Sequence, residues 1–95
     1  MATTIGLLHL KLHVAQAMSL KDKRRIVKSF KDRLKHRHNV SLAEVGGLDS
    51  HRSAELAVAM AGTDRRYIEG ALQKIINAAA AHRDMILIDH TVEWL

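Results

Sequence analysis

The sequence has no cysteine and only three aromatic residues, Phe30, Tyr67 and Trp94. The first lack excludes a disulfide framework and a thiolate metal site, and it suits a chain that works in the cytosol. The second means that the core has to be built from aliphatic side chains. No apolar stretch approaches the ~20 residues that cross a bilayer. The opening MATTIGLLHLKLHV has no basic residues ahead of its apolar run and is interrupted by His9, Lys11 and His13, which makes it a poor signal peptide. No Ser-His-Asp order, paired carboxylates or Gly-rich phosphate loop stands out, and Gly46-Gly47 alone is a weak signal. These absences predict a soluble cytoplasmic protein that is not an enzyme and carries no cofactor.

What is present is a single strongly polarised segment. The 95 residues are enough for one domain over 1–95 with one two-layer core, and 47% hydrophobic content predicts a folded chain. The net charge is +5, but the stretch SLKDKRRIVKSFKDRLKHRH (19–38) holds nine of the fifteen Lys and Arg against two Asp. It carries +7, which leaves −2 for the rest of the chain. At 3.6 residues per turn, Leu20, Ile26, Val27, Phe30 and Leu34 share one third of the helical wheel. Lys21, Arg24, Arg25, Lys28, Lys31 and Lys35 fall on an adjacent sector and form a cationic ridge several turns long. A ridge of one sign differs from an ordinary solvated face, which mixes Glu with Lys at i,i+4.

The rest of the chain supplies strands and a second helix. Residues 4–14 alternate, with Leu8, Leu10, Leu12 and Val14 on one face and Leu7, His9, Lys11 and His13 on the other, the pattern of a half-buried strand. Ser19 reads as a helix N-cap with Asp22 at the third helical position. Residues 39–45 form a weaker strand whose apolar residues claim both faces, as at a bulge or a sheet edge. After a turn-rich connection at 46–51, residues 52–60 place Ala54, Leu56, Val58 and Met60 inward. Thr63 or Asp64 caps a helix reaching about His82, with Tyr67, Ile68, Ala71, Leu72, Ile75, Ile76 and Ala79 as its apolar face. Residues 85–95 close the chain as a fourth strand. The order β-α-β-β-α-β with right-handed crossovers predicts an α+β, ferredoxin-like sandwich: an antiparallel sheet in the order 4-1-3-2 with both helices on one face. Leu10, Leu12, Phe30, Leu34, Leu56, Val58, Leu72, Ile75 and Ile88 are the expected core.

The run SLKDKRRIVKSFKDRLKHRHNVSLAEVG (19–46), the strand RSAELAVAM (52–60) and the terminal VEWL (92–95) resemble the YlxP-like family of small uncharacterised bacterial proteins. The resemblance extends nearly end to end and implies the ferredoxin-like fold in a cytoplasmic setting. Members tend to be encoded near translation and ribosome-maturation factors, which implies RNA or the ribosome as partner. It implies no catalytic residues.

Two surfaces are therefore candidates. The ridge of Lys21, Arg24, Arg25, Lys28, Lys31 and Lys35 can follow the phosphates of RNA with little sequence preference, because no aromatic platform accompanies it. The alternative is the open sheet face, where Leu7, His9, Lys11 and Ala57 predict a homo-oligomeric contact or a small-ligand surface, as a dimer or a tetramer of dimers. That face lacks stacking aromatics and carries Glu55, so it does not suit RNA. A metal site is not expected. His9 and His13 stand ~13 Å apart on a strand, too far for one ion, and His36 and His38 point apart on the helix.

Overall fold

The computed structural model describes residues 2–95. The elements follow the order β1 (Thr4–His13), α1 (Leu20–Arg37), β2 (Ser41–Gly46), β3 (Ser53–Gly62), α2 (Arg65–Ala80) and β4 (Ile86–Trp94). All strand pairs are antiparallel and the sheet order is β2-β3-β1-β4, the ferredoxin-like arrangement of the α+β class.

Period-two alternation decides which face of the central strands is covered. Leu8, Leu10, Leu12 and Val14 of the first strand region are buried beside Ala54, Leu56, Val58 and Met60 of β3. The helices close over them: Val27, Phe30 and Leu34 from α1 join Ile68, Leu72, Ile75 and Ile76 from α2 in one continuous core. Because side chains alternate, the opposite face of the same strands is left without a covering layer. Close approach of α2 to the sheet depends on Gly6. A Cβ there would lie 2.9 Å from both Ile68 Cγ2 and Leu72 Cδ1.

Caps fix where the helices begin. The Ser19 hydroxyl accepts the backbone N–H of Asp22 at 3.1 Å, and Asp22 in turn accepts the backbone N–H of Met18 at 3.1 Å. The first contact occupies a donor that the first helical turn cannot satisfy internally, and the second ties the residue ahead of the cap to that turn. Asp64, rather than Thr63, caps α2 through the Arg66 N–H at 3.0 Å.

The sheet edges hold the departures from the pattern. On β2 the register shifts between Glu44 and Gly46, which leaves Val45 half exposed at the edge and reconciles its conflicting apolar residues. On β4 a second shift pairs Lys11 with Asp89 but Leu12 with Leu87. Ile88 falls in that irregularity and is 57% exposed, so it is not the core residue that simple alternation predicts. Tyr67 likewise departs from the expected apolar face of α2. It lies at the margin of the α2 apolar sector, in the first turn, and is 71% exposed.

Candidate nucleic-acid interface

The outward face of α1 is where the fold leaves the ridge. Burying Val27, Phe30 and Leu34 turns the opposite side of the helix to solvent. Lys21, Arg24, Arg25, Lys28 and Lys35 are exposed, and Lys31 is half-buried. Arg24, Lys28, Lys31 and Lys35 repeat at i, i+4, i+7 and i+11, which places them in one row about 16 Å long. Two acidic residues interrupt the field. Lys28 Nζ lies 2.7 Å from Asp32 Oδ2, and Arg25 Nη2 lies 3.8 Å from Asp22 Oδ1. Among the described residues, Lys21, Arg24, Lys31 and Lys35 have no carboxylate within 4.0 Å. The Lys28 hydrogen bond, backed by the charges of Lys35 and Lys31, holds the Asp32 carboxyl below its ordinary value. Asp32 therefore stays ionised and offsets part of the ridge.

One lysine of the segment does the opposite of what its composition suggests. Lys23 is fully buried, and its ammonium donates to Glu44 Oε2 at 2.8 Å, the Gly47 carbonyl at 2.8 Å and the Ser53 carbonyl at 3.1 Å. Three acceptors match the three donors of an ammonium. Gly47 adopts φ +70, a backbone state open to glycine, where a Cβ would meet the Ser53 carbonyl at 2.9 Å. Lys23 thus pins the first turns of α1 to β2 and to the β2–β3 connection, and the ridge is carried on a helix fixed at that end.

The flank of α1 that faces α2 carries a second set of cations, which the helical wheel separates from the ridge. Arg33 and Arg37 face the inter-helix groove together with Lys74, His38 and His82. Burial, then Lys74 and Arg37, lower the pKa of His38; burial and then Arg33 lower that of His82, with Asp84 opposing. A histidine whose folded pKa lies below its unfolded value of about 6.5 adds stability above that pH and loses it as pH falls toward the folded value. Thermal unfolding should accordingly shift to lower temperature on acidification below about pH 6.5. The His82→Gln variant should show a flatter dependence in that window. An unchanged pH profile in that variant would exclude His82 as a source of the effect.

The other predicted surface is the sheet face that no helix covers. Leu7, His9 and Ala57 are half-buried there and Lys11 is exposed. Leu7 pairs with Ala59, His9 with Ala57, and Lys11 with Glu55 on one side and Asp89 on the other. The face therefore divides: Ile5, Leu7, Ala57, Ala59 and Ala61 make a mainly apolar end, bordered on β4 by Glu93 opposite Leu7, while His13, Lys11, Glu55 and Asp89 make a polar one. Among the described residues no group of three His, Asp or Glu side chains is placed to hold a metal ion, and no helix is long and apolar enough to cross a membrane.

The chain matches the family model described as "Protein of unknown function (DUF503)" over residues 5–92. It is similar to "Uncharacterized protein YlxP" of Bacillus subtilis (strain 168), with 29% identity over 72 residues that cover 76% of this chain and 78% of the relative. Among solved structures it is similar to "De novo designed protein Foldit4", with a TM-score of 0.58 at 14% identity, covering 98% of this chain and 96% of the other. The last likeness concerns the fold alone.

Proposed function

The chain belongs to the DUF503 family of proteins of unknown function, and for this member we propose a cytoplasmic protein that binds RNA, free or within the ribosome, through the outward face of α1 and performs no catalysis. The observation that carries this reading is the row Arg24, Lys28, Lys31 and Lys35 along α1, of which, among the described residues, only Lys28 has a carboxylate within 4.0 Å. Cations in such a row replace the counterions condensed on a phosphate backbone and gain affinity from their release. Base reading is not supported, since Phe30 is buried and neither Tyr67 nor Trp94 lies on α1. Recovery of the tagged protein from lysate at low and high salt tests the reading. RNA should accompany it at low salt and be released at high salt. Protein recovered without RNA at low salt would count against it.

A second reading rests on the divided sheet face. The face suits a two-fold contact between copies through Leu7, His9 and Ala57 together with Lys11 of its polar end, with His9 approaching acidic residues of either copy. Sedimentation should then report a dimer or a tetramer of dimers at micromolar concentration. A monomer at high micromolar concentration would remove this reading and leave the RNA proposal untouched.

A further inference from the structure

The groove between α1 and the C-terminal end of α2 is more enclosed than the ridge and has its own chemistry. It encloses about 580 Å³ over an apolar floor that includes Ile26, Ala78 and Ala81. Arg25, Ser29 and Arg33 of α1 stand on one wall, and His82 and Arg83, beyond α2, stand on the other. Asp84 is the one carboxylate that lines it, with its Oδ1 3.9 Å from Arg83 Nε. Three guanidinium groups against one carboxylate leave the groove net positive.

His82 provides the second, independent observation. Its Nδ1 accepts the backbone N–H of Asp84 at 3.0 Å, and its ring meets Phe30 edge-on with centroids 5.5 Å apart. A neutral imidazole that accepts at Nδ1 carries its single proton on Nε2. That Nε2–H faces Arg33 Nη2 at 3.2 Å, and a guanidinium nitrogen has no acceptor to offer it. Two donors therefore converge on the groove with no acceptor between them. Protonating the ring would not relieve the contact, and burial together with Arg33 disfavours it. A phosphate oxygen beside both nitrogens can accept from each.

We propose that this groove is a phosphate site, in which Arg33 Nη2 and His82 Nε2–H donate to the oxygens of one phosphate group while Arg25, Ser29 and Arg83 supply the surrounding charge and hydroxyl. Binding forms hydrogen bonds only, and no covalent bond changes. The phosphate can belong to a nucleic-acid strand or to a small phosphorylated molecule, since the chemistry is shared. A shallower depression shares Arg25, Ser29 and Arg33 and continues to Lys28, with the Asp32 carboxylate also on its lining. The two direct donors, Arg33 and His82, lie outside the ridge, while Arg25 is shared with it.

NMR titration of the isotope-labelled chain with inorganic phosphate tests the site. The free protein should show His82 as the Nε2–H tautomer, and phosphate should shift its ring resonances saturably. Arg33→Gln removes one charge-assisted donor and should weaken this binding about tenfold. Arg83→Gln, at a 92% exposed side chain, should weaken it less and serves as a second variant that leaves the core untouched. The triple variant Arg24→Gln, Lys31→Gln, Lys35→Gln lies outside the groove and should retain phosphate binding even if RNA binding is lost, so failures of the two proposals are distinguishable. An Nδ1–H tautomer, no saturable shift at tens of millimolar phosphate, or wild-type binding by Arg33→Gln would each overturn the site. Competition with trinucleotides then separates the sources. Displacement by the end-phosphorylated form alone identifies a strand end; displacement by the hydroxyl-ended form as well identifies backbone phosphates. Displacement by neither leaves a small phosphorylated molecule.

Discussion

Reversing Arg24, Lys31 and Lys35 together to Glu is expected to reduce affinity for structured RNA by at least about a hundredfold at low salt. The three residues lie in one row, and among the described residues none has a carboxylate within 4.0 Å to blunt its charge. Lys28 stands in the same row but is held by Asp32 at 2.7 Å, so its loss should matter less. The variant should keep the fold, because Arg24 and Lys35 are exposed and Lys31 is half-buried on the sector beside, not within, the buried stripe of Val27, Phe30 and Leu34. Reversals at exposed Arg52, Arg65 and Arg66, outside the ridge and the inter-helix groove, change the net charge equally and provide the control. If the control loses RNA as completely as the row variant, attraction is a property of the whole charged particle and α1 has no special role. The sheet-face reading makes a different forecast, in which the row variant keeps both its partners and its oligomeric state.

Lys23→Ala should destabilise the fold by about 3–5 kcal/mol, the cost of breaking a buried ion pair from one side. The loss has two parts. Glu44, whose side chain is only 13% exposed, would keep a carboxylate without its cation, and the Gly47 and Ser53 carbonyls would lose a donor. The packed methylene stem of the lysine would also leave a cavity. Replacing both partners, Lys23→Met with Glu44→Leu, should recover most of the loss, because removing both charges also removes the desolvation cost that each imposes. Urea unfolding of the two variants measures the difference. A loss below about 1 kcal/mol for Lys23→Ala would mean that solvent reaches Glu44 freely and that the pair does not anchor α1.

Much of this architecture is legible in the residues because short-range periodicity and burial agree. Leu8, Leu10 and Leu12 alternate without interruption, and the wheel of Val27, Phe30 and Leu34 points one way, so strand faces and helix faces follow directly. Ile88 departs from the pattern because alternation assumes an unbroken register, and the β4 shift beside it depends on pairing with β1 rather than on any local residue. Tyr67 fits the periodicity only at the margin of its sector, and its position in the first turn of α2 leaves it in solvent. Lys23 was hidden by its company, since a lysine among eight other cations reads as solvated. A signal was nevertheless present. Lys23, Val27, Phe30 and Leu34 repeat at i, i+4, i+7 and i+11, so the lysine occupies the first position of the buried stripe. Glu44 lies two residues from inward-facing Leu42, which places an opposite charge on the covered side of β2. The inter-helix groove could not be found in this way, because it joins Arg33 to His82 across 49 positions of sequence.

The central claim, that the outward face of α1 binds RNA through its phosphates, is tested most directly by the salt dependence of wild-type binding to a structured RNA, followed by fluorescence anisotropy. Four to six phosphate contacts predict a log-log slope of roughly −3 to −5, with little change between unrelated sequences. The row variant should bind too weakly to give a slope. Absence of RNA binding by the wild-type protein at about 50 mM salt, where such contacts are strongest, would contradict the claim and reduce the ridge to a solvated face.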